Sequence, residues 1–524
     1  MTDSALISEF LAQNALKIVE DAVKGQKTIA TRSIRRGDIV LSVHPLFGFP
    51  VRPGEEEEEG SADAAEDPKA PAPVAQPEDR CTQCFQKLPQ KRPRCSQCHR
   101  AQYCSIKCLN NHWKVRHYLE CSTSKTAVTQ QQTVDQLARR IKPAYRPYLR
   151  MAIGVVSYVE RARKSKRLPE WMKLQIAAWD RLVSHKNDHP KYVIRQYSEI
   201  ADVIISSDLA PQWLTKDDIV DYLCRFGCNN FAAFDSSDIV QMTGHLCSPV
   251  VSLLFNHSCL PNALFIYSEA DGLQIVRALD DIEEGEEISI SYIDGLRPRC
   301  ERQTTLQEVY FFACKCARCA GDNTDRARID AMMDRKLNSD EKAKQMPHGL
   351  PTDFAQTPTI EPWVQYVVKS MLSCLNNGIA VSDMDKQVLG AVENLETCDL
   401  SFVAYRHWLE CQDDCLDRIS AGTDHMWVWA YVASLYVLAF YSISYPPFHP
   451  LVGRQSLQCA QLAWNALQTL ESSSCAGGIL PLNIDLVKKM CLGAQIVHKV
   501  SGDPSVDKTS AKIMLLLEQL SEEF

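Results

Sequence analysis

The sequence predicts an α+β fold in which strand-forming stretches flank a cysteine-rich segment and an all-helical region follows. Three observations predict it. Residues 27–47 and 225–295 alternate and turn like β-strands. Cysteines bunch at 81–121, between those stretches, and again at 259–319. From about residue 355 onward the apolar spacing is helical, with about seven helices on short loops.

Each element has a reason. Residues 1–20 carry Leu6, Phe10, Leu11, Ala15 and Ile18 at helical spacing and predict a short amphipathic helix. Within 27–47, Arg36-Gly37-Asp38 marks a turn. Residues 53–79 combine acidic residues with Pro and Ala. They hold too little apolar surface to offset chain entropy, so they read as a disordered linker, with an acidic interaction tract as the other reading. Residues 127–222 read as mostly helical. Farther on, 401–418, 425–442 and 453–471 read as helices, with a sharp break at Pro446-Pro447 and Pro450. No clean 34-residue repeat signature marks this region.

Composition bounds the class. A chain of 524 residues suggests two to four domains. Its 45% hydrophobic and 23% charged residues are ordinary for a globular protein. No run of ~18 uncharged apolar residues is read, so no membrane span is expected. The start, MTDSALISEF, lacks the basic and apolar regions of a secretory signal. A net charge of -8 argues against a chain-wide nucleic-acid surface and leaves room for a local basic patch. Without a secretory route, the 22 cysteines point to metal rather than disulfides. Cys224, Cys228, Cys247, Cys300, Cys374 and those beyond are scattered and read as small buried hydrophobes. The Asn256-His257-Ser258 sequon then carries no weight.

The first cysteine cluster supplies four ligand pairs: Cys81-x2-Cys84, Cys95-x2-Cys98, Cys104-x3-Cys108 and His117-x3-Cys121. Each spacing lets two side chains converge on one tetrahedral ion, so eight ligands make two closed structural zinc sites. A segment this short needs them to fold. The order of pairs resembles the MYND zinc finger, including Tyr103 before a ligand cysteine and Trp113 between the last two pairs. The resemblance implies interleaving, with Cys81, Cys84, Cys104 and Cys108 on one ion and Cys95, Cys98, His117 and Cys121 on the other. One extra residue stands between Trp113 and His117 relative to the usual spacing. That leaves His112 as a competing ligand; otherwise it reads as a surface residue. Lys87, Lys91, Arg92, Arg94 and Arg100 make the segment basic, for nucleic acid or simply to balance thiolate charge. MYND fingers imply protein partners, often proline-rich peptides.

The second constellation begins with Asn256-His257-Ser258-Cys259-Leu260-Pro261-Asn262 after the apolar run VVSLLF. Glu284 to Tyr292, Phe312 and Cys314-x-Cys316-x2-Cys319 follow. Together, and in this order, they resemble the signature segments and post-SET cysteines of the SET domain. With the finger, the chain resembles the SET and MYND domain family of protein lysine methyltransferases, over roughly residues 20–50 and 80–320. The resemblance implies a SET β-fold split by a MYND finger, and a C-terminal all-helical, tetratricopeptide-like domain, which 444–467 also resemble. It divides the chain into 1–52 (first part of the SET domain), 53–79 (linker), 80–122 (finger), 123–299 (helical insert and core SET domain), 300–325 (post-SET segment) and 326–524 (helical domain).

The same resemblance implies S-adenosylmethionine as methyl donor and a protein lysine as acceptor. Tyr292 matches the catalytic tyrosine. Tyr310 matches a tyrosine lining the lysine channel, with core packing as the other reading. Asn229, Asn256, His257, Tyr292 and Phe312 match cofactor contacts. Cys259, Cys314, Cys316 and Cys319 match a third zinc site. In the glycine-rich opening, Lys24-Gly25-Gln26-Lys27-Thr28-Ile29-Ala30-Thr31, Gly25 keeps the first glycine and Lys27 replaces the second. Lys27 either crowds the cofactor or reaches its carboxylate. The run Arg161 to Arg167 reads as a nuclear localisation signal, a site for an acidic partner, or an exposed helix end. A monomer in the nucleus and/or cytoplasm is expected, with a catalytically weak scaffold in transcriptional regulation as the competing reading. A zinc hydrolase is disfavoured, because no ligand set leaves an open metal position beside a general base.

Overall fold

The computed structural model describes residues 3–51, 80–99, 101–118, 121, 141, 145–164, 168–206, 213–234, 242–320, 325–334, 360–377, 401–423, 426–471, 482, 484–502 and part of 511–518. The acidic stretch 53–79, Arg100 and the end of the basic run 161–167 lie outside them.

The chain opens with α1 (Asp3–Gln13), β1 (Leu16–Asp21), β2 (Gly25–Ala30), β3 (Ile39–Val43) and β4 (Phe47–Pro50). The finger contributes α2 (Ile106–His112) and a π-helical turn at Trp113–His117. Next come α3 (Arg146–Lys164), α4 (Glu170–Trp179), α5 (Lys191–Ser206), α6 (Lys216–Cys228), β5 (Asn230–Phe234), β6 (Met242–Cys247) and α7 (Pro249–Leu254). Then follow β7 (Asn256–His257), β8 (Ala263–Ser268), β9 (Leu273–Ala278) and β10 (Ser289–Ile290). Helices complete the chain: α8 (Arg299–Val309), α9 (Ala317–Ala320), α10 (Asp325–Met333), α11 (Pro362–Asn377), α12 (Phe402–Ser420), α13 (Trp427–Ser444), α14 (Pro450–Glu471) and α15 (Ile484–Ser501). The residues divide into two units. The first holds 1–28, 40–255 and 265–276; the second holds 29–39, 256–264 and 277–524.

In the first unit the predicted helix over 1–20 stops at Gln13, and Ile18 belongs to β1. Ala15 takes a left-handed φ of 55°, which reverses the chain before Leu16 buries as a strand residue. Asp21 then closes the β1–β2 hairpin. Its carboxylate accepts the backbone N–H groups of Lys24 and Val23, both at 2.9 Å, and meets the Lys27 ammonium at 3.1 Å. Those donors hold its pKa down at about 2. Where residues 127–222 are described they are mostly helical, as expected, and α3 to α6 bury Leu149, Met172, Trp179, Ile200 and Phe226 in one core with Leu46 and Phe47. Thr215 and Asp218 make a reciprocal capping box at the start of α6.

Two antiparallel ladders, β4–β6 and β6–β5, build a sheet onto which the finger docks. Phe85 is fully buried in a left-handed conformation (φ 64°) and stacks on Tyr267 with ring centroids 5.3 Å apart. A Cβ at Gly244 would lie 2.6 Å from its ring, so only glycine there leaves room. Tyr267 donates to the Gln83 carbonyl at 2.6 Å, Gln86 to Glu269 at 2.6 Å, and Asn111 to the Ala270 carbonyl at 3.2 Å.

In the second unit β7 pairs parallel to β10, setting Asn256 beside Ser289 and His257 beside Ile290. The turn at 36–38 forms with Gly37 at φ 86° and the Asp38 N–H on the Arg35 carbonyl at 3.0 Å. The helices pack in chain order, α12 on α13, α13 on α14 and α14 on α15, while α11 lies on α13 and α15. Gly453 lets α14 approach Val497 of α15, where a Cβ would come within 2.7 Å. The predicted break is the tight Tyr445–His449 link, and Pro450 begins α14, where its missing N–H costs nothing. One expectation is corrected. Trp427–Ser444 is an 18-residue uncharged helix of mean hydropathy 1.4, long and apolar enough to span a bilayer. It is 83% buried in the protein, as the central helix of the array requires.

Replacing Phe85 by Ala should cost about 3–5 kcal/mol of stability by leaving a cavity between finger and sheet. Gly244→Ala should cost about 1–3 kcal/mol through overpacking. Thermal unfolding of both variants checks this, and a double variant should lose less than the sum because both act on one contact.

Candidate metal centres and reaction site

Among the described residues, three sets of side chains bring their ligand atoms within 4.8 Å of one another: Cys81, Cys84, Cys104 and Cys108; Cys95, Cys98, His117 and Cys121; and Cys259, Cys314, Cys316 and Cys319. Zinc bound tetrahedrally at ~2.3 Å from each sulfur sets the sulfurs about 3.8 Å apart, whereas a disulfide needs about 2.05 Å. The first set has Cys84–Cys104 and Cys104–Cys108 at 3.5 Å. The second has Cys95–Cys121 at 3.7 Å and Cys98 Sγ to His117 Nε2 at 3.5 Å. The third has Cys259–Cys319 at 3.5 Å and Cys259–Cys314 at 4.0 Å. Thiolate and imidazole donors at these separations suit a tetrahedral divalent ion, and each set can hold one. All four positions are filled by protein, the pattern of closed structural sites.

The finger's histidine ambiguity resolves in favour of His117. The extra residue after Trp113 is absorbed by the π-helical turn Trp113–His117, which adds one residue per turn and aims His117 at the sulfurs. His112 is buried rather than a surface residue. Its Nδ1 meets the Tyr103 hydroxyl at 3.0 Å, and its ring stacks on His117 at 5.2 Å, bracing the ligand. Ser105 caps α2 by accepting the Cys108 N–H at 3.2 Å. Lys87, Lys91 and Arg94 are exposed, and Arg92 donates to Gln102 at 2.5 Å.

Around the third set, Tyr292, Ile293, Tyr310 and Phe312 pack against Cys259, Leu306, Cys314 and Cys319. His257 is buried between two tasks. Its Nδ1 accepts the Tyr292 backbone N–H at 3.0 Å, and its Nε2 lies 3.1 Å from Cys259 Sγ. An Nδ1 that accepts carries no proton, so the ring proton sits on Nε2 and points at the sulfur. The Tyr310 hydroxyl donates to the Tyr292 carbonyl at 3.2 Å, with the two rings 5.1 Å apart. Phe311, between Tyr310 and Phe312 in the chain, is left-handed (φ 62°), and Phe312 faces His257 at 6.1 Å. Burial, with Tyr310 and Glu287 nearby, pushes the Tyr292 phenol well above its ordinary pKa, so it stays a neutral donor.

Asn256 donates to Glu287 at 3.1 Å. Asn262 ties the same strand, donating to the Glu287 carbonyl at 2.8 Å and accepting the Ser289 N–H at 2.9 Å. Gly25, Lys27 and Asn229 belong to the first unit. The surroundings of Gly25 (φ 76°) are open, with nothing within 4 Å of an added Cβ. Asn229 ends α6, donating to the Arg225 carbonyl at 2.7 Å and receiving Ser252 at 3.3 Å. Sequence reasoning missed a buried triad. Asp330 receives Arg302 on both oxygens, at 2.9 Å on Oδ1, and Oδ1 also takes Arg318 at 2.7 and 3.0 Å. Only the position of Arg318, between Cys316 and Cys319, could have flagged it.

A buried histidine thus joins a cysteine quartet to a tyrosine, next to a parallel strand pair and a second tyrosine. The chain belongs to the SET domain family, whose model matches residues 25–293, just over half of the chain. Its sequence is similar to the histone-lysine N-methyltransferase ASHR1 of Arabidopsis thaliana, at 27% identity over 60% of this chain and 57% of that protein. It is also similar to the histone-lysine N-methyltransferase SMYD3 of Homo sapiens, at 30% identity over 47% of this chain and 52% of that protein. Both agree with the SET and MYND resemblance. The chain spans little more than half the length of these relatives. A solved SET domain of LSMT, bound to lysine and AdoHcy, covers 91% of this chain and 95% of that chain at a TM-score of 0.30 and 12% identity, and nothing rests on so slight a likeness.

The purified protein should carry three equivalents of zinc, one per set. Cys316→Ser should lose about one equivalent and leave the finger's two in place, as read by elemental mass spectrometry of the bound metal.

Proposed function

We propose that this protein is an S-adenosylmethionine-dependent protein lysine N-methyltransferase with three structural zinc ions. The observation that carries the reading is the tyrosine pair: Tyr310 on the Tyr292 carbonyl, with Tyr292 fixed through His257. Methyl transfer is an in-line displacement in which a carbon–nitrogen bond forms as a carbon–sulfur bond breaks. The lysine amine gives up its proton to solvent and the sulfonium becomes a thioether. Little covalent help is needed; the protein must align the amine and keep water out. S-adenosylmethionine supplies the activated methyl group. On this reading Tyr292 and Tyr310 orient the amine, with Tyr292 acting as a neutral hydrogen-bond partner rather than a base.

The cofactor contacts assigned are Gly25, Lys27, Asn229, Asn256, His257, Tyr292 and Phe312. His257 would contribute through its backbone, since its ring serves Tyr292 and Cys259. Lys27 already has Asp21 at 3.1 Å, so its ammonium is a partnered surface group rather than an obstruction. The domain limits follow the resemblance, with the finger at 80–122 inserted into one SET domain of 1–52 and 123–299. Histone or non-histone protein is the substrate class, and the exposed basic finger recruits protein partners such as proline-rich peptides. Closed thiolate–zinc sites suit a reducing compartment, nucleus or cytoplasm. The competing scaffold reading is separated by cofactor binding.

Calorimetry should show micromolar S-adenosylmethionine binding by the wild type. Lys27→Gly should change that affinity by less than about fivefold, the scale of an exposed ion pair. No binding by either protein would sink the enzyme reading. With a lysine substrate, Tyr292→Phe should lower turnover by about 10²-fold while sparing fold and cofactor affinity. The pH–rate profile should rise as the lysine amine, ordinarily near ~10.4, loses its proton, with no falling limb from Tyr292 below about pH 10.

A further inference from the structure

Arg318 stands between two metal-ligand cysteines, yet its side chain reaches elsewhere. The guanidinium is buried at 2% exposure. Its Nη1 donates to the carbonyls of Gly295 at 2.6 Å and Ser444 at 2.9 Å, and lies 3.4 Å from that of Cys259. Its Nε and Nη2 go to Asp330, which also holds Arg302, and Arg302 donates to the Arg297 carbonyl at 2.6 Å. The segment 294–297, which begins two residues after Tyr292, is therefore gripped from inside by two arginines. From the other side Tyr445 donates to Asp294, and Gly295 is pressed on the Tyr445 ring, which lies 3.4 Å from where its Cβ would be.

We propose that Arg318 is a positioning residue for the tyrosine pair. By fastening segment 294–297 to the end of α13 and to the Cys259 turn, it fixes the backbone of Tyr292 and, through the Tyr292 carbonyl, the Tyr310 hydroxyl. The C-terminal helices thereby set the geometry of the reaction site. This rests on the methyltransferase reading of the two tyrosines. Nη1 serves the three carbonyls while Nε and Nη2 hold Asp330, so one planar fork joins the three segments to the carboxylate, which a lysine ammonium with all its donors on one nitrogen cannot reproduce.

The test compares Arg318→Lys, which keeps the charge, with Tyr445→Phe, which removes one hydroxyl from the same segment. Arg318→Lys should lower kcat at least about tenfold and Tyr445→Phe about threefold or more. The substrate KM, the S-adenosylmethionine Kd and the three zinc equivalents should hold within about twofold. Hydrogen–deuterium exchange at 292–297 should quicken in both variants and stay unchanged in the finger. Unchanged kcat in both, or a kcat loss that tracks lost zinc or lost fold, overturns the proposal. Should Arg318→Lys fail to fold, full kcat in Tyr445→Phe overturns it. Should the wild type transfer no methyl group, the methyltransferase reading fails by itself. Exchange at 292–297 then decides the positioning, and unchanged rates in both variants overturn it.

Discussion

Four sulfur atoms meet where Cys259, Cys314, Cys316 and Cys319 converge, and much of the second unit follows from that meeting. Cys259 ends the turn after β7, and Cys314 comes 55 residues later. Closing so long a loop costs entropy that a short tail with little core cannot offset, whereas metal coordination can. A divalent ion with four thiolates keeps two formal negative charges in the interior, where countercharge is needed. Arg302 Nη2 lies 3.8 Å from Cys319 Sγ and supplies it. Two neighbouring guanidinium groups need a carboxylate in turn, and Asp330 of α10 sits between them. Removing one member of such a buried set costs about 3–5 kcal/mol, because the others are left charged and unpaired. The quartet, the two arginines and α10 are therefore one interdependent assembly.

That assembly reaches the chemistry through His257. One nitrogen faces Cys259 and the other takes the Tyr292 N–H, so the same ring orients the metal ligand and the tyrosine backbone. Second-sphere groups of this kind fix a ligand's direction and tautomer. A bulky residue in the left-handed region costs on the order of 1–3 kcal/mol, and Phe311 occupies it. The surrounding structure over-determines that conformation: Tyr310 is held on Tyr292 while Phe312 turns to His257.

Features set by local spacing were legible in the sequence. The ligand pairs are two to four residues apart, so their convergence is a property of short backbone runs, and every ligand named from spacing and resemblance lies in one of the three sets. The helices of 401–471 were legible to within a few residues because apolar periodicity and Pro450 act locally. Features set by tertiary partners were not. The reversal at Ala15 cuts a periodic stretch in two, because Leu16 opens β1, whose pairing with β2 periodicity cannot see. His112 read as a surface residue because nothing in its neighbours reveals that Tyr103 and His117 enclose it. Arg302 and Asp330 carry no motif, since a buried ion pair is defined by a fold rather than by a spacing.

The apolar helix α13 shows how the two kinds of information join. WVWAYVASLYVLAFYSIS is buried on nearly every side, so it must lie at the centre of a layer with α11, α12 and α14 around it. Two of its buried hydroxyls find partners inside the protein: Ser442 donates to the Leu438 carbonyl at 2.7 Å, and Ser434 receives Gln455 at 2.9 Å. A helix end leaves its last carbonyls without intrahelical partners and carries partial negative charge. At Ser444 that need is met by the guanidinium of Arg318, a cation held in place by Asp330. The contact serves both sides. It completes the end of a buried helix and gives a buried arginine one of the acceptors it requires. Without α13, Arg318 would lose that acceptor beside the cysteine quartet, and without Arg318 the helix would end on an unsatisfied carbonyl. The helical array and the tyrosine-bearing segment are in this sense parts of one folding unit.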